Sequence, residues 1–442
     1  MKTNKRTIYS GDWLEFHPYD NTINSDLFYI ELCNQVYQAI EKTANEIDNA
    51  SYLFLSTNEM KQLSCMLTAY FEDILSETQI WNTFTRQMKA RYGKWLPYYD
   101  TSDYAEEEIN EADIEFLCWH FMTQLYEGQT PISPKEPLFE AIAKSVYPLF
   151  DSHYETAPEN KKLHNFFHIK ENDTLFDLQE KFFWLGTESY LFCFNNRDLE
   201  KELDDVTEVA KENQMEDQLA EMANMVITDF SFNNVTEFFE LTAAKWLAYM
   251  IGPENELYES LLNMTEKKSG YFIFQEQDSM YAQFKHVATG EVLHVTNRSL
   301  VGFPKDLKSG DVVVYAGFVE WQGEWWFIGD LRGYQIDDEL IQEICSREEE
   351  INLFKEPEVK VPSDKEQERK ANQLLDNLRE VNSKEDEIDI NWALMYEEEI
   401  TSDYLRRAIA ADAFANLQFP GEEGRELMRA DFPFTLSYLR RS

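Results

Sequence analysis

Two hydrophobic rhythms divide this chain. Over most of its length apolar residues recur every three or four positions, the spacing of one helical face, whereas between residues 270 and 333 they alternate every second position, as in strands. From Tyr70 to Tyr92 the apolar positions Tyr70, Phe71, Ile74, Leu75, Trp81, Phe84 and Met88 predict helix, with a break near Ser76 to Gln79. Glu72 and Asp73 near the start of that stretch, and Arg86, Lys89 and Arg91 near its end, suit the helix dipole, and Gly93 supplies a stop. A second helix is predicted from Ser102 to Tyr126, with Ile109, Ala112, Phe116, Leu117, Phe121 and Leu125 facing inward. Others are expected over 26–48, 135–147, 173–192, 197–226, 235–251 and 254–264. No internal repeat is visible at a fixed period.

The period-two region reads as five short strands, Tyr271 to Gln275, Tyr281 to Ala288, Glu291 to Thr296, Asp311 to Glu320 and Trp325 to Leu331. Thr289-Gly290 and Gln322-Gly323 predict tight turns, because glycine accepts positive φ. Eight of the fifteen glycines fall between Gly270 and Gly333, which sets this module apart from the glycine-poor helical remainder. The predicted fold class is α+β: mainly α-helical, with an embedded small antiparallel β-barrel of OB-like or SH3-like type. The predicted domains are a helical N-terminal domain over 1–265, the barrel over 270–335, and an acidic helical C-terminal region over 336–442. Within the last, Pro357 and Pro362 among charges predict a linker near 355–370, and aromatic residues including Phe432 and Phe434 predict a final stretch that docks back onto a core.

Both faces of the last two strands are apolar. Val312, Val314, Ala316 and Phe318 alternate with Val313, Tyr315 and Val319, and Trp325 and Phe327 alternate with Trp326 and Ile328. An isolated barrel buries one face, so the second needs a cover: the chain's own helices, or an aromatic binding surface built from Trp321, Trp325, Trp326, Tyr315 and Phe318.

Charge then restricts the partners. With 83 acidic against 40 basic residues the formal net charge is -43, a field that repels phosphate backbones and anionic membranes. Between Asp337 and Ile400 alone, 21 acidic residues face 8 basic ones. The apolar run Leu241 to Ile251 contains Lys245 and is too short to span a bilayer. Five scattered cysteines without a CxxC pair, and an amino-terminal stretch lacking an apolar core, predict free buried thiols and a cytoplasmic location.

The segments from Tyr9 to Val36, Tyr70 to Asp100 and Glu107 to Phe121 resemble a family of uncharacterised proteins of gut Bacteroidales, catalogued as a domain of unknown function. The segment Gly310 to Gly329 fits the same context. The resemblance implies an intracellular bacterial protein and carries no activity or site residues.

Candidate chemistry is sparse. His164 and His168 have i, i+4 spacing, with His153 or Glu171 as a conceivable third metal ligand, but Asn165-Phe166-Phe167 between them lacks the glutamate of a zinc-protease helix. In the acidic run Asp100 to Glu111, Tyr104 and Ala105 stand where a calcium loop requires a ligand and a glycine. Cys118 and His120 are too close in sequence to face one another along a helix. Acidic pairs such as Asp204-Asp205 and Glu237/Glu240 are expected among 83 carboxylates. No catalytic residue, cofactor or metal is therefore assigned. The expectation is a non-catalytic cytoplasmic interaction or adaptor protein with a protein partner. Two readings stand beside it: an acidic mimic of nucleic acid that blocks a DNA- or RNA-binding protein, and an enzyme whose site assembles from residues distant in sequence.

Overall fold

The computed structural model describes residues 7–47, 53–126, 132–170, 173–300, 312–355 and Phe434. By internal packing the chain divides into two compact units. The first comprises Met1–Asn165, Glu237–Glu240 and Val359–Ser442; the second comprises Phe166–Thr236 and Leu241–Glu358. The helices expected to form one N-terminal domain over 1–265 are thus shared between them. The predicted linker near 355–370, beyond Lys355, and most of the acidic C-terminal region lie outside the described residues.

The first unit is helical: α1 (Ser10–Leu14), α2 (Asn24–Ile47), α3 (Thr57–Ser76), α4 (Ile80–Tyr92), α5 (Glu111–Leu125), α6 (Pro137–His153) and α7 (Lys161–Phe166). Helix α2 packs on α3 and α6, and α5 packs on α6 and α3. The core is aromatic, with Trp13, Tyr29, Tyr70, Phe71, Trp81, Phe84 and Phe116 fully enclosed. Helix α3 starts at a capping box in which Ser56 and Glu59 satisfy each other's backbone N–H groups. This start corrects the reading of Glu72 and Asp73 as first-turn charges, because both sit in the last turns of α3 and are buried. The predicted break is real, and Asp73 turns it: its carboxylate accepts the N–H groups of Ile80 (3.2 Å) and Trp81 (2.7 Å), so its charge serves the start of α4. Gly93, at φ +77°, ends α4 as predicted. Helix α5 begins at Glu111 rather than Ser102, because the Asn110 side chain bonds both the N–H and the carbonyl of Ala105 and holds the preceding stretch as a loop.

The second unit carries α8 (Leu175–Thr187), α9 (Asn196–Glu212), α10 (Leu219–Asn233), α11 (Ala243–Ile251) and α12 (Tyr258–Leu262), then strands β1 (Lys268–Gln277), β2 (Tyr281–His286), β3 (Val292–Thr296), β4 (Val312–Trp321) and β5 (Glu324–Gln335), and finally α13 (Asp338–Ser346) and α14 (Glu348–Asn352). The helix expected over 197–226 is two, divided where Gln214 takes φ +55°. The strands pair in the order β1-β2-β3-β5-β4, and β4 returns to β1, so the sheet closes on itself. Every strand predicted from alternation is present. Neighbours pair antiparallel except β3 and β5, which meet in parallel at Val295 and Trp325, a pairing that a purely antiparallel reading lacks. Gln322 and Gly323, both at positive φ, turn β4 into β5. Inside the closed sheet lie Phe272, Phe274, Phe284, Leu293, Val314 and Phe318, with Leu353 and Phe354 packed against them. Helix α10 packs on β5, which gives the second apolar face its cover within the same unit.

Candidate functional site

Among the described residues, a close group of buried titratable side chains lies in the first unit. His17 follows α1, Asp26 sits in the first turn of α2, Glu72 in the last turn of α3, and Asn160 directly precedes α7. All four are buried, and the ligating atoms of His17, Asp26 and Glu72 lie within 4.8 Å of one another. His17 Nδ1 is 2.9 Å from the Trp13 carbonyl oxygen; a carbonyl only accepts, so Nδ1 carries a proton. Nε2 faces Glu72 Oε2 at 2.7 Å. Burial alone favours the neutral imidazole. The Glu72 charge, the bonds to Glu72 and Trp13, and the Asp26 charge outweigh it, and the His17 pKa rises above the ordinary histidine value. When protonated, the ring donates from both nitrogens, to Trp13 and to Glu72.

The carboxylates are equally engaged. Glu72 Oε1 accepts from Asn160 Nδ2 (2.9 Å), whose second proton goes to Tyr19 Oη (2.7 Å). Tyr19 donates to Asp26 Oδ1 (2.9 Å), which also accepts Trp13 Nε1 (3.1 Å), while Asp26 Oδ2 accepts the Ile23 N–H (2.7 Å). These residue types and spacings would suit a divalent cation, yet each ligating atom already has an internal partner. A cation would have to break the His17–Glu72 bond and compete for a carboxylate that already accepts three donors. The group fits a closed hydrogen-bond network that ties α1, α2, α3 and the start of α7 together.

A second network surrounds Asp113 in the first turn of α5. It accepts from Tyr70 (2.6 Å) and Tyr104 (2.8 Å), and Asn110 adds a third donor at 3.3 Å. Burial raises its pKa to about 7, against the pull of those hydrogen bonds.

Among the described residues this unit has a cleft of about 270 Å³ lined by Leu75, Ser76, Glu77, Glu159, Lys161, His164 and Asn165. His164 Nδ1 bonds the Ser76 carbonyl (2.9 Å), and Ser76 Oγ accepts the Asn160 N–H (2.8 Å); Glu72 does not line the cleft.

The residues weighed and set aside as metal ligands are not brought together on one helical face. Helix α7 ends at Phe166, so His164 and His168 share no helical face; His153 Nδ1 is occupied by the Leu149 carbonyl, and Glu171 lies outside the described residues. Cys118 and His120 are both buried on α5, and burial pushes the Cys118 thiol up, away from the reactive thiolate. Asp204 and Asp205 are exposed on α9. Of the aromatic residues singled out for an interaction surface, Phe318, Trp321 and Trp326 are buried, while Tyr315 and Trp325 are partly so. Trp325 packs on the interior of the closed sheet. Trp326, across the strand, meets the Phe176 ring of α8 edge-on at 6.1 Å and lies beneath the Arg298 guanidinium.

Sequence reasoning missed His17, Asp26, Glu72 and Asn160. One signal was present: Glu72 and Asp73 stand together in a strongly apolar run, with no Lys or Arg within four positions to pair them along the helix.

Comparison with known proteins adds the family. The model described as "Protein of unknown function (DUF3843)" matches residues 7–282, and the chain belongs to that family. No curated protein and no solved structure matches it. Among the described residues, no helix is long and apolar enough to cross a membrane.

Proposed function

We propose that this chain is a non-catalytic interaction protein of the cytoplasm, that its sheet is an OB-like barrel, and that its partner is a protein. The observation that carries the reading is the sealing of the buried His17 imidazole. A catalytic imidazole must meet a substrate, and both nitrogens of His17 are spent on Trp13 and Glu72 inside the core. The OB-like assignment is supported by the closed order β1-β2-β3-β5-β4 with β3 parallel to β5. OB barrels bind ligands over strands 2 and 3. On this chain that region offers exposed Lys285, Val292 and His294, with Met280 exposed in the preceding turn. The net charge of -43 favours a protein over a phosphate backbone, and the buried thiols of Cys33, Cys65 and Cys118 suit a reducing compartment.

The test is affinity purification from native cells of the wild-type chain and a Met280→Glu/Val292→Glu variant, alongside incubation of each with a native metabolite extract. The reading expects a stoichiometric protein recovered by the wild type and lost from an equally stable variant, with no metabolite consumed. Consumption of a metabolite, or a partner held equally by both, would overturn it.

A further inference from the structure

Phe434 is 2 % exposed, and its ring is surrounded by six other aromatic rings of the first unit. Phe238 stacks on it at 16° with centroids 6.1 Å apart, Tyr98 meets it edge-on at 5.9 Å and Tyr92 edge-on at 6.3 Å. Phe116, Phe239 and Phe84 lie at 6.2, 6.4 and 6.5 Å. The pocket draws on three separate stretches: α4 and the segment after it, α5, and the Glu237–Glu240 tetrapeptide, in which Phe239 and Glu240 take positive φ. Side chains other than glycine and asparagine adopt that conformation at a cost, so the tetrapeptide is held in a strained form that presents Phe238 and Phe239 to the pocket. A basic group stands beside it in a chain that is otherwise strongly acidic. Arg91 lies over the Phe239 ring at 5.0 Å, and Lys89, two residues earlier on α4, lies over the Trp95 ring.

We infer that this pocket is a binding site for a phenylalanine-anchored peptide, and that its occupant is the chain's own Phe434. Two observations favour this occupant. Phe434 is seated in the pocket. The anchor belongs to the same chain as the pocket, so a peptide from solution must compete with an internal ligand. The site is thus a peptide-recognition pocket held by an internal ligand, and only a chain whose own anchor is removed will accept the same peptide from solution. The inference does not depend on the proposed interaction role and stands if the chain proves to be an enzyme.

The test uses the full chain and a fluorescent peptide spanning residues 426–440, followed by anisotropy. Phe434→Ala protein is expected to bind the peptide saturably and at least tenfold more tightly than wild type, and a peptide carrying the same Phe434→Ala change should not bind. Adding Phe238→Ala to the Phe434→Ala protein should abolish binding. Equal binding by wild type and Phe434→Ala protein, or no binding by a Phe434→Ala protein that still melts cooperatively, would overturn the inference. A second measurement does not rely on that variant folding. Benzoylphenylalanine at position 434 of an otherwise unchanged chain should photocrosslink to peptides containing Tyr92, Tyr98, Phe238 or Phe239, within a single copy in an isotopically mixed sample. Crosslinks elsewhere in the chain would refute the pocket, and crosslinks between copies would refute the internal occupant.

Discussion

Removing Glu72 should distinguish charge from hydrogen bonding at the centre of the first unit. Glu72→Ala leaves His17 Nε2 and one Asn160 N–H without acceptors in a site closed to water. Stripping one partner from a buried, hydrogen-bonded ion pair costs about 3 to 5 kcal/mol. For a unit of this size, about 2 to 4 °C of melting temperature per kcal/mol converts that to a fall of roughly 6 to 20 °C. Glu72→Gln is a different perturbation. Its amide oxygen can accept from Asn160 while its NH₂ donates to a neutral His17 Nε2, so every bond survives and only the charge is lost. Its cost should stay near 1 kcal/mol, the net worth of one hydrogen bond. The two variants should also differ in pH response. The His17 pKa is higher in the native state than in the unfolded chain, so the stabilisation is fully present below the unfolded value and is lost as pH rises through the native value. Glu72→Gln should flatten that decline. Thermal and urea melts between pH 5.5 and 8.5, with hydrogen exchange of the α1 and α3 peptides to assign the transition to the first unit, supply the measurement. Equal losses for alanine and glutamine, or less than about 1 kcal/mol for alanine, would refute the closed-network account.

Two further outcomes follow from the same reasoning. Asp113 should titrate near pH 7 by carboxyl carbon NMR; because its native pKa is raised, the native state holds a proton that the unfolded chain has released, so stability should fall as pH rises between about 4 and 7, by up to about 4 kcal/mol, and Asp113→Asn should remove that dependence. At the second unit, Trp326→Ala should cost about 3 kcal/mol or more by urea melting, whereas Trp326→Phe should cost clearly less, because the indole N–H it deletes is buried without a hydrogen-bond acceptor among the described residues.

What could be read in advance followed local rules. The strands were legible because alternation is a local signal and Gln322-Gly323 marks its turn, and the break between α3 and α4 was legible because Ser76 to Gln79 interrupts the apolar face. The parallel pairing of β3 with β5 was not, since nothing in either strand encodes which distant edge it meets. The closed network was equally hidden: His17, Glu72 and Asn160 are 55 and 88 residues apart, and each looks ordinary in its own segment. Asp73 misled because a charge near a supposed helix start looks like a dipole partner, and its true role at α4 depends on where α3 begins.

The claim that the buried His17–Asp26–Glu72 group is sealed structure rather than a reaction or metal site is tested most directly by ¹⁵N NMR of His17. Spectra of histidine-labelled protein recorded at pH 7, before and after excess Zn²⁺ and then EDTA, should show both ring nitrogens protonated, ring protons that exchange slowly with solvent, and no response to the metal. A neutral His17 whose ring protons exchange freely, or a resonance shifted by Zn²⁺ and restored by EDTA, would contradict the account.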